Sequence, residues 1–264
     1  METILQGEGL EKGCNQLLEM MGNAAAVTDL SFAVPDGVNN GQYGIGIVID
    51  FFGLAGKYSG FPVDFVYPSM TSVVPANIAL IAGGKNPDEA KKFMAFSMST
   101  EGQQLLFDPK ISRLPILPYS QLKAPAGYPD PQEVAKRAKV QFDANLSEAR
   151  YQVVTSLFDQ MVTFRLKELQ GATKAIQDAE KALKAKPNAR GSDLVKQARA
   201  LAYTPLVGAE NVKNEQFLEL FRKSRRDVEV SKQLSGQEQL WANKARENYA
   251  RAQQLATEAR GLAK

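Results

Sequence analysis

The chain has 264 residues, 44% hydrophobic and 23% charged, with a formal net charge of +3. It contains no histidine, which excludes Ser-His-Asp and Cys-His catalysis, histidine general bases and histidine metal ligands. A single cysteine, Cys14, excludes an internal disulfide and any CxxC site, and no apolar run approaches the ~18 residues of a membrane span.

In chain order, residues 10–21 (LEKGCNQLLEMM) predict a short amphipathic helix that stops at Gly22-Asn23. Asp36-Gly37 and Asn39-Asn40-Gly41 are turn signals ahead of a β-rich run over 44–52. Residues 61–67 (FPVDFVY) alternate like a strand, and 73–81 read as a largely buried one. Asn86-Pro87-Asp88-Glu89 then opens a helix, with Asn86 as cap, Pro87 at the first position and acids at the positive end. Thr100-Glu101-Gly102-Gln103 has the spacing of a capping box. Strands followed by capped helices predict an α/β lobe.

Pro115, Pro118, Pro125, Pro129 and Pro131 mark a boundary, and the chain divides into 1–124 and 125–264. Residues 1–120 hold 7 Lys+Arg against 12 Asp+Glu, whereas 121–264 hold 25 against 17. An acidic Gly- and Pro-rich part therefore precedes a basic one with the composition of long helices. Asp130-Pro131-Gln132-Glu133 starts the first helix of the second part. Phe158, Val162, Leu166, Leu169, Thr173, Ile176 and Leu183 continue at helical spacing until 186–191 break it. Ser192 is the expected cap of a helix ending near Tyr203. Trp241, Ala245, Asn248, Ala252, Leu255, Ala259 and Leu262 follow a 4-3 spacing, the seam of a helical hairpin or short coiled coil. An antiparallel bundle of three or four helices is expected.

Chemical motifs are scarce. Gly53-Leu54-Ala55-Gly56-Lys57-Tyr58 lacks the first glycine and the Ser/Thr of a phosphate loop. Gly41, Gly44 and Gly46 have the wrong order for a dinucleotide fingerprint. Arg222-Lys223-Ser224-Arg225-Arg226 is flanked by acids and has no aromatic platform, so a solvated helix face is preferred to nucleic-acid binding. Nothing points to an enzyme, a cofactor or a metal site.

GQYGIGIVIDFF (41–52), FPVDFVYP (61–68), NIALIAGGKNPDEAKKFMAF (77–96) and STEGQ (99–103) resemble bacterial extracellular solute-binding proteins of ABC transporters. The resemblance is to the ferric-iron, phosphonate and phosphoglycerate branch, and the long helical tail is most similar to its phosphoglycerate transport regulatory members. It implies an α/β fold: partial type II periplasmic-binding-protein lobes over 1–124, followed by an all-α helical-bundle extension over 125–264. Only the C-terminal portion of such a protein is matched. No charged region followed by an apolar one opens the chain, so no signal peptide is read, and periplasmic localisation is expected for a full-length precursor.

The resemblance further implies a ligand cleft closed by hinge motion, with Tyr67 and Pro68 at a hinge. Phe51-Phe52 stand where ferric binders carry a tyrosine pair, which turns the expectation from Fe(III) to a small organic anion such as a phosphate ester or phosphonate. Ser31, Ser69, Thr71 and Ser72 are candidate hydroxyl donors to that ligand. Asp50 is a candidate acceptor from a ligand hydroxyl or amine, with an internal hydrogen bond as its other reading. The implied function is a non-enzymatic solute-binding component for uptake or sensing of a small anionic metabolite, partnered by an ABC permease or a membrane sensor. The alternative is a regulatory interaction module whose helical tail docks on that sensor or permease. Neither nucleic acid nor membrane insertion is expected.

Overall fold

A computed structural model describes residues 1–223 and 227–263. Its α-helices are α1 (Glu2–Glu8), α2 (Leu10–Gly22), α3 (Ala33–Asn39), α4 (Asp50–Tyr58), α5 (Pro87–Ser97) and α6 (Thr100–Gln104). They continue with α7 (Pro131–Arg137), α8 (Ala144–Met161), α9 (Leu166–Ala185), α10 (Ala189–Tyr203), α11 (Glu215–Lys223) and α12 (Val228–Leu262). No strand occurs among the described residues, so the expected α/β fold with type II binding-protein lobes is overturned and the protein is all-helical.

Residues 44–49, 61–67 and 73–81 form neither strand nor helix, and at 61–63 the chain makes a tight turn in which the Val63 amide donates to the Phe61 carbonyl at 2.8 Å. Asp50-Phe51-Phe52, expected to end a strand, begins α4. The physical reason is that β-propensity measures fit to a pleated, half-buried surface, and among the described residues no strand pairs with these segments to supply one. They keep the composition of strands without the pairing.

The chain forms two compact units: Met1–Val27 with Asp143–Lys264, and Thr28–Phe142. In the first, α9 and α10 are antiparallel: Tyr203 meets Thr173, Arg199 meets Glu180, and Leu183 lies against Gly191. Helix α12 runs parallel to α9, with Gln253 beside Gly171 and Arg260 beside Asp178. The antiparallel expectation therefore fits α9 and α10 and not α9 and α12. Trp241, Ala245, Ala252, Leu255 and Ala259 of the foreseen seam are buried. Tyr249 is buried where Asn248 was expected, and Ala242 and Ala256 widen the stripe. Small side chains let the α12 backbone come close to its neighbours.

Two short helices from the start of the chain complete this core. Leu5, Leu10, Cys14, Leu17 and Leu18 join the same cluster as α8–α12. Gly22 ends α2 against Thr173, and Asn23 accepts from Gln177 at 2.7 Å. Arg150, 5% exposed, donates through Nε and Nη2 to the same Glu2 oxygen at 2.9 and 2.6 Å, which compensates its burial.

Local signals fixed several helix starts. Asp130 accepts from the Gln132 amide and Asp143 from the Leu146 amide. Three caps differ from expectation. Asn86 makes no side-chain cap bond, Ser99 rather than Thr100 caps α6 by accepting from Gly102, and Asn188 rather than Ser192 caps α10. A 3-10 turn at Thr163–Arg165 divides the periodic stretch that began at Phe158. Arg222 and Lys223 end α11 in ion pairs with Glu215 and Glu219, and Ser224, Arg225 and Arg226 of the basic run lie outside the described residues.

The second unit gathers a small core of Leu54, Phe107 and Tyr128, bordered by Tyr58, Phe65, Leu114 and Tyr119. The Tyr58 and Tyr128 rings lie 4.7 Å apart, and Phe107 meets Tyr128 edge-on at 5.1 Å. Phenol hydroxyls tie this core to the backbone: Tyr58 donates to Gly127 and Tyr119 to Pro129, each at 2.7 Å.

Candidate functional site

Two of the sequence-predicted residues meet in the second unit. Asp50 opens α4, and its carboxylate accepts from the Phe51 amide at 2.8 Å and from the Tyr67 hydroxyl at 3.0 Å. Burial, then the Asp50 carboxylate, pushes the Tyr67 phenol well above its ordinary range, so it stays a neutral donor. Tyr67 also packs edge-on against Phe65 at 4.8 Å. The residue after Asp50 on the same helix, Phe51, carries the Arg113 guanidinium 3.3 Å above the centre of its ring, and that ring touches Phe52. Arg113 is set by a strained turn. Ser112 sits at φ 48°, and the Arg113 carbonyl accepts from the Tyr128 hydroxyl at 3.3 Å.

This arrangement is a carboxylate held by a phenol, with a guanidinium over the adjoining ring. Its hydrogen bonds turn inward. Asp50 thus has the internal partner that was its other reading. The remaining candidates are placed as follows. Ser31 is exposed in the turn before α3, and no hydrogen bond joins it to Asp50 or 67–72 among the described residues. Pro68 and Ser69 are exposed, and the Ser69 carbonyl accepts from the Lys139 amide at 3.4 Å. Thr71 and Ser72 are half-buried.

Two cavities lie in the other unit, and none of these candidates lines either. One is an apolar void of about 30 Å³ beside Leu5, Cys14, Leu17, Val154 and Met161, with room for about one water. Burial pushes the Cys14 thiol up to about 11. A buried protonated thiol is a packing group and not a nucleophile.

The second is a polar cleft of about 350 Å³. Helix α8 supplies Thr155, Ser156 and Asp159, α12 supplies Ser231, Ser235 and Glu238, and Phe221 and Leu234 add an apolar wall. Ser156 donates to Glu238 at 2.5 Å, and Thr163 donates to Asp159 at 2.8 Å. Sequence reading missed this cleft. Its signal was present: 155, 156 and 159, and 231, 235 and 238, each place polar groups on one helical face.

The chain is similar to the phosphoglycerate transport regulatory protein PgtC of Salmonella typhimurium, with 30% identity over 185 residues, 70% of this chain and 45% of that protein. The protein of the same name from Salmonella typhi matches to the same extent. The chain therefore spans less than half the length of the curated relatives it matches. A stretch of 185 residues in 264 cannot avoid residues 80–185, so the similarity reaches from α5 through α9 and into both units. No family profile matches the chain. No solved structure matches it. Over that stretch the chain is a homologue of phosphoglycerate transport regulatory proteins.

Proposed function

We propose that the chain acts in regulating phosphoglycerate transport, as a protein interaction module whose helical unit docks on a membrane sensor or permease. The observation that carries this reading is the similarity to two regulatory proteins, which necessarily includes the long helices α8 and α9. The alternative weighed from sequence is thereby favoured over solute capture. Solute capture needs Ser31, Asp50, Ser69, Thr71 and Ser72 to converge on a ligand, whereas Asp50 spends its acceptors on Tyr67 and its own helix start. No described helix is long and apolar enough to cross a membrane, so contact with a membrane protein would be through a docked surface. The proposed role is non-catalytic and periplasmic.

The test is uptake of labelled phosphoglycerate in a strain lacking the gene. Deletion should abolish the induced rise in uptake, and the full chain should restore it. Lys181→Glu with Lys184→Glu, exposed on α9 within the matched stretch, should restore it poorly while leaving the fold intact. Uptake that is unchanged by deletion overturns the reading.

A further inference from the structure

The seam that buries α12 changes character towards the start of that helix. Trp241 and Ala245 are buried, and seven residues upstream the same stripe falls on Leu234 and Glu238. Opposite it, α8 turns Gln152, Ser156 and Asp159 to the same space. Ser156 and Glu238 bridge the two helices at 2.5 Å, and at that bridge lies the polar cleft of about 350 Å³. A space of that size is large enough for a small molecule.

The lining is rich in acceptors and short of donors. Ser156 gives its proton to Glu238, Ser235 gives its own to the Ser231 carbonyl at 3.0 Å, and Thr163 gives one to Asp159. The Ser156 and Ser235 oxygens and both carboxylates therefore turn lone pairs to the cleft. The Thr155 and Ser231 hydroxyls can rotate to accept, and the Gln152 amide is the fixed donor among the lining residues. No cation lines the cleft, and neither carboxylate is in an ion pair among the described residues. Cations close by in sequence are engaged elsewhere: Arg222 and Lys223 pair with Glu215 and Glu219, and Lys232 with Glu229.

A carboxylate at a seam position with only a neutral hydroxyl beside it is costly, and a bound cation offsets that cost. Two carboxylates repel a phosphate ester. They suit a group with donors and no acceptor, which is an alkyl ammonium. Asp159 stands one turn, about 5–6 Å, from Ser156, whose hydroxyl touches Glu238, so one ligand can meet both acids. Phe221, held by stacking on Trp241 at 5.5 Å, and Leu234 supply an apolar wall for the carbons between its charged ends. We propose that the cleft between α8 and α12 binds a short alkyl diamine, with Glu238 and Asp159 each taking one ammonium group. This goes beyond the regulatory reading and is independent of it, since the uptake assay can fail while diamine binding holds, and the reverse.

The test is calorimetric titration of the full chain with putrescine, a four-carbon diamine, beside butanediol and butylamine of the same carbon length. Putrescine should bind one-to-one, weaken with added salt, and exceed both analogues by about tenfold or more. Glu238→Gln keeps an oxygen for Ser156 while removing the charge. Combined with Asp159→Asn, it should weaken putrescine binding by about tenfold or more at an unchanged thermal midpoint. Ser235→Leu, which fills the cleft from an exposed position on α12, should weaken binding as much. No putrescine binding at millimolar concentration, equal binding of butanediol or butylamine, or full binding by both variants overturns the proposal.

Discussion

Two glycine-to-alanine substitutions should move stability in opposite directions. Gly22, at the end of α2, faces Thr173 of α9, and a β-carbon there would lie 2.0 Å from the threonine hydroxyl oxygen and 2.8 Å from its Cβ. Thr173 is 1% exposed and accepts from the buried Tyr203 hydroxyl at 3.1 Å. Turning the threonine away would orphan that hydroxyl, a cost of about 1–3 kcal/mol. Parting the helices instead costs about the same through lost packing. The small helix-propensity gain of alanine does not offset either, so Gly22→Ala should destabilise by about 2–3 kcal/mol. Gly236 lies exposed within α12, with nothing near an added β-carbon. Gly236→Ala should therefore stabilise by about 0.5–1 kcal/mol. Urea unfolding read by Trp241, the one tryptophan and buried in the same core, reports both. With a slope of about 2 kcal/mol per molar, the midpoint should fall by about 1 M for Gly22→Ala and rise by about 0.3 M for Gly236→Ala. A Gly22→Ala midpoint at or above the parent would refute the α2–α9 contact.

The Glu2–Arg150 pair predicts asymmetry between single and double replacement. Glu2→Gln leaves a buried guanidinium without its counter-charge and should cost about 3 kcal/mol, whereas Glu2→Leu with Arg150→Met should cost far less; thermal unfolding separates the cases. Cys14 predicts an alkaline weakness. Its folded value of about 11 exceeds the ordinary 9.0, so its contribution is complete below pH 9 and disappears as pH rises from 9 to 11. About two pK steps correspond to about 2–3 kcal/mol. Cys14→Ala should flatten that part of the stability–pH curve, and an identical slope in parent and variant would remove the thiol as its cause.

The helical part was legible because its instructions are local. Asp130 and Asp143 cap helices through their own next few amides, and the Trp241–Ala259 seam repeats within one helix. The stretch from 44 to 81 misled because strand character is settled by a neighbour, and composition does not say whether one is present. Asp50 stood out as an acid in an apolar run, with ligand contact and an internal hydrogen bond as its two readings, and the internal partner, Tyr67, lies 17 residues away. No local pattern encodes that meeting. The same limit hid the cleft between α8 and α12, whose two polar faces come together only in the folded unit.

The first unit is assembled from both ends of the chain, and this sets a clock on its folding. Asn23 and its partner Gln177 are 154 residues apart. At a synthesis rate of about 5–20 residues per second, the opening helices wait on the order of 8–30 s for α9 to be made. During that interval Leu10, Cys14, Leu17 and Leu18 have none of the later helices to cover them. These four side chains are therefore uncovered for seconds while the chain is still on the ribosome, and a chaperone that holds the first two helices would act before the bundle exists.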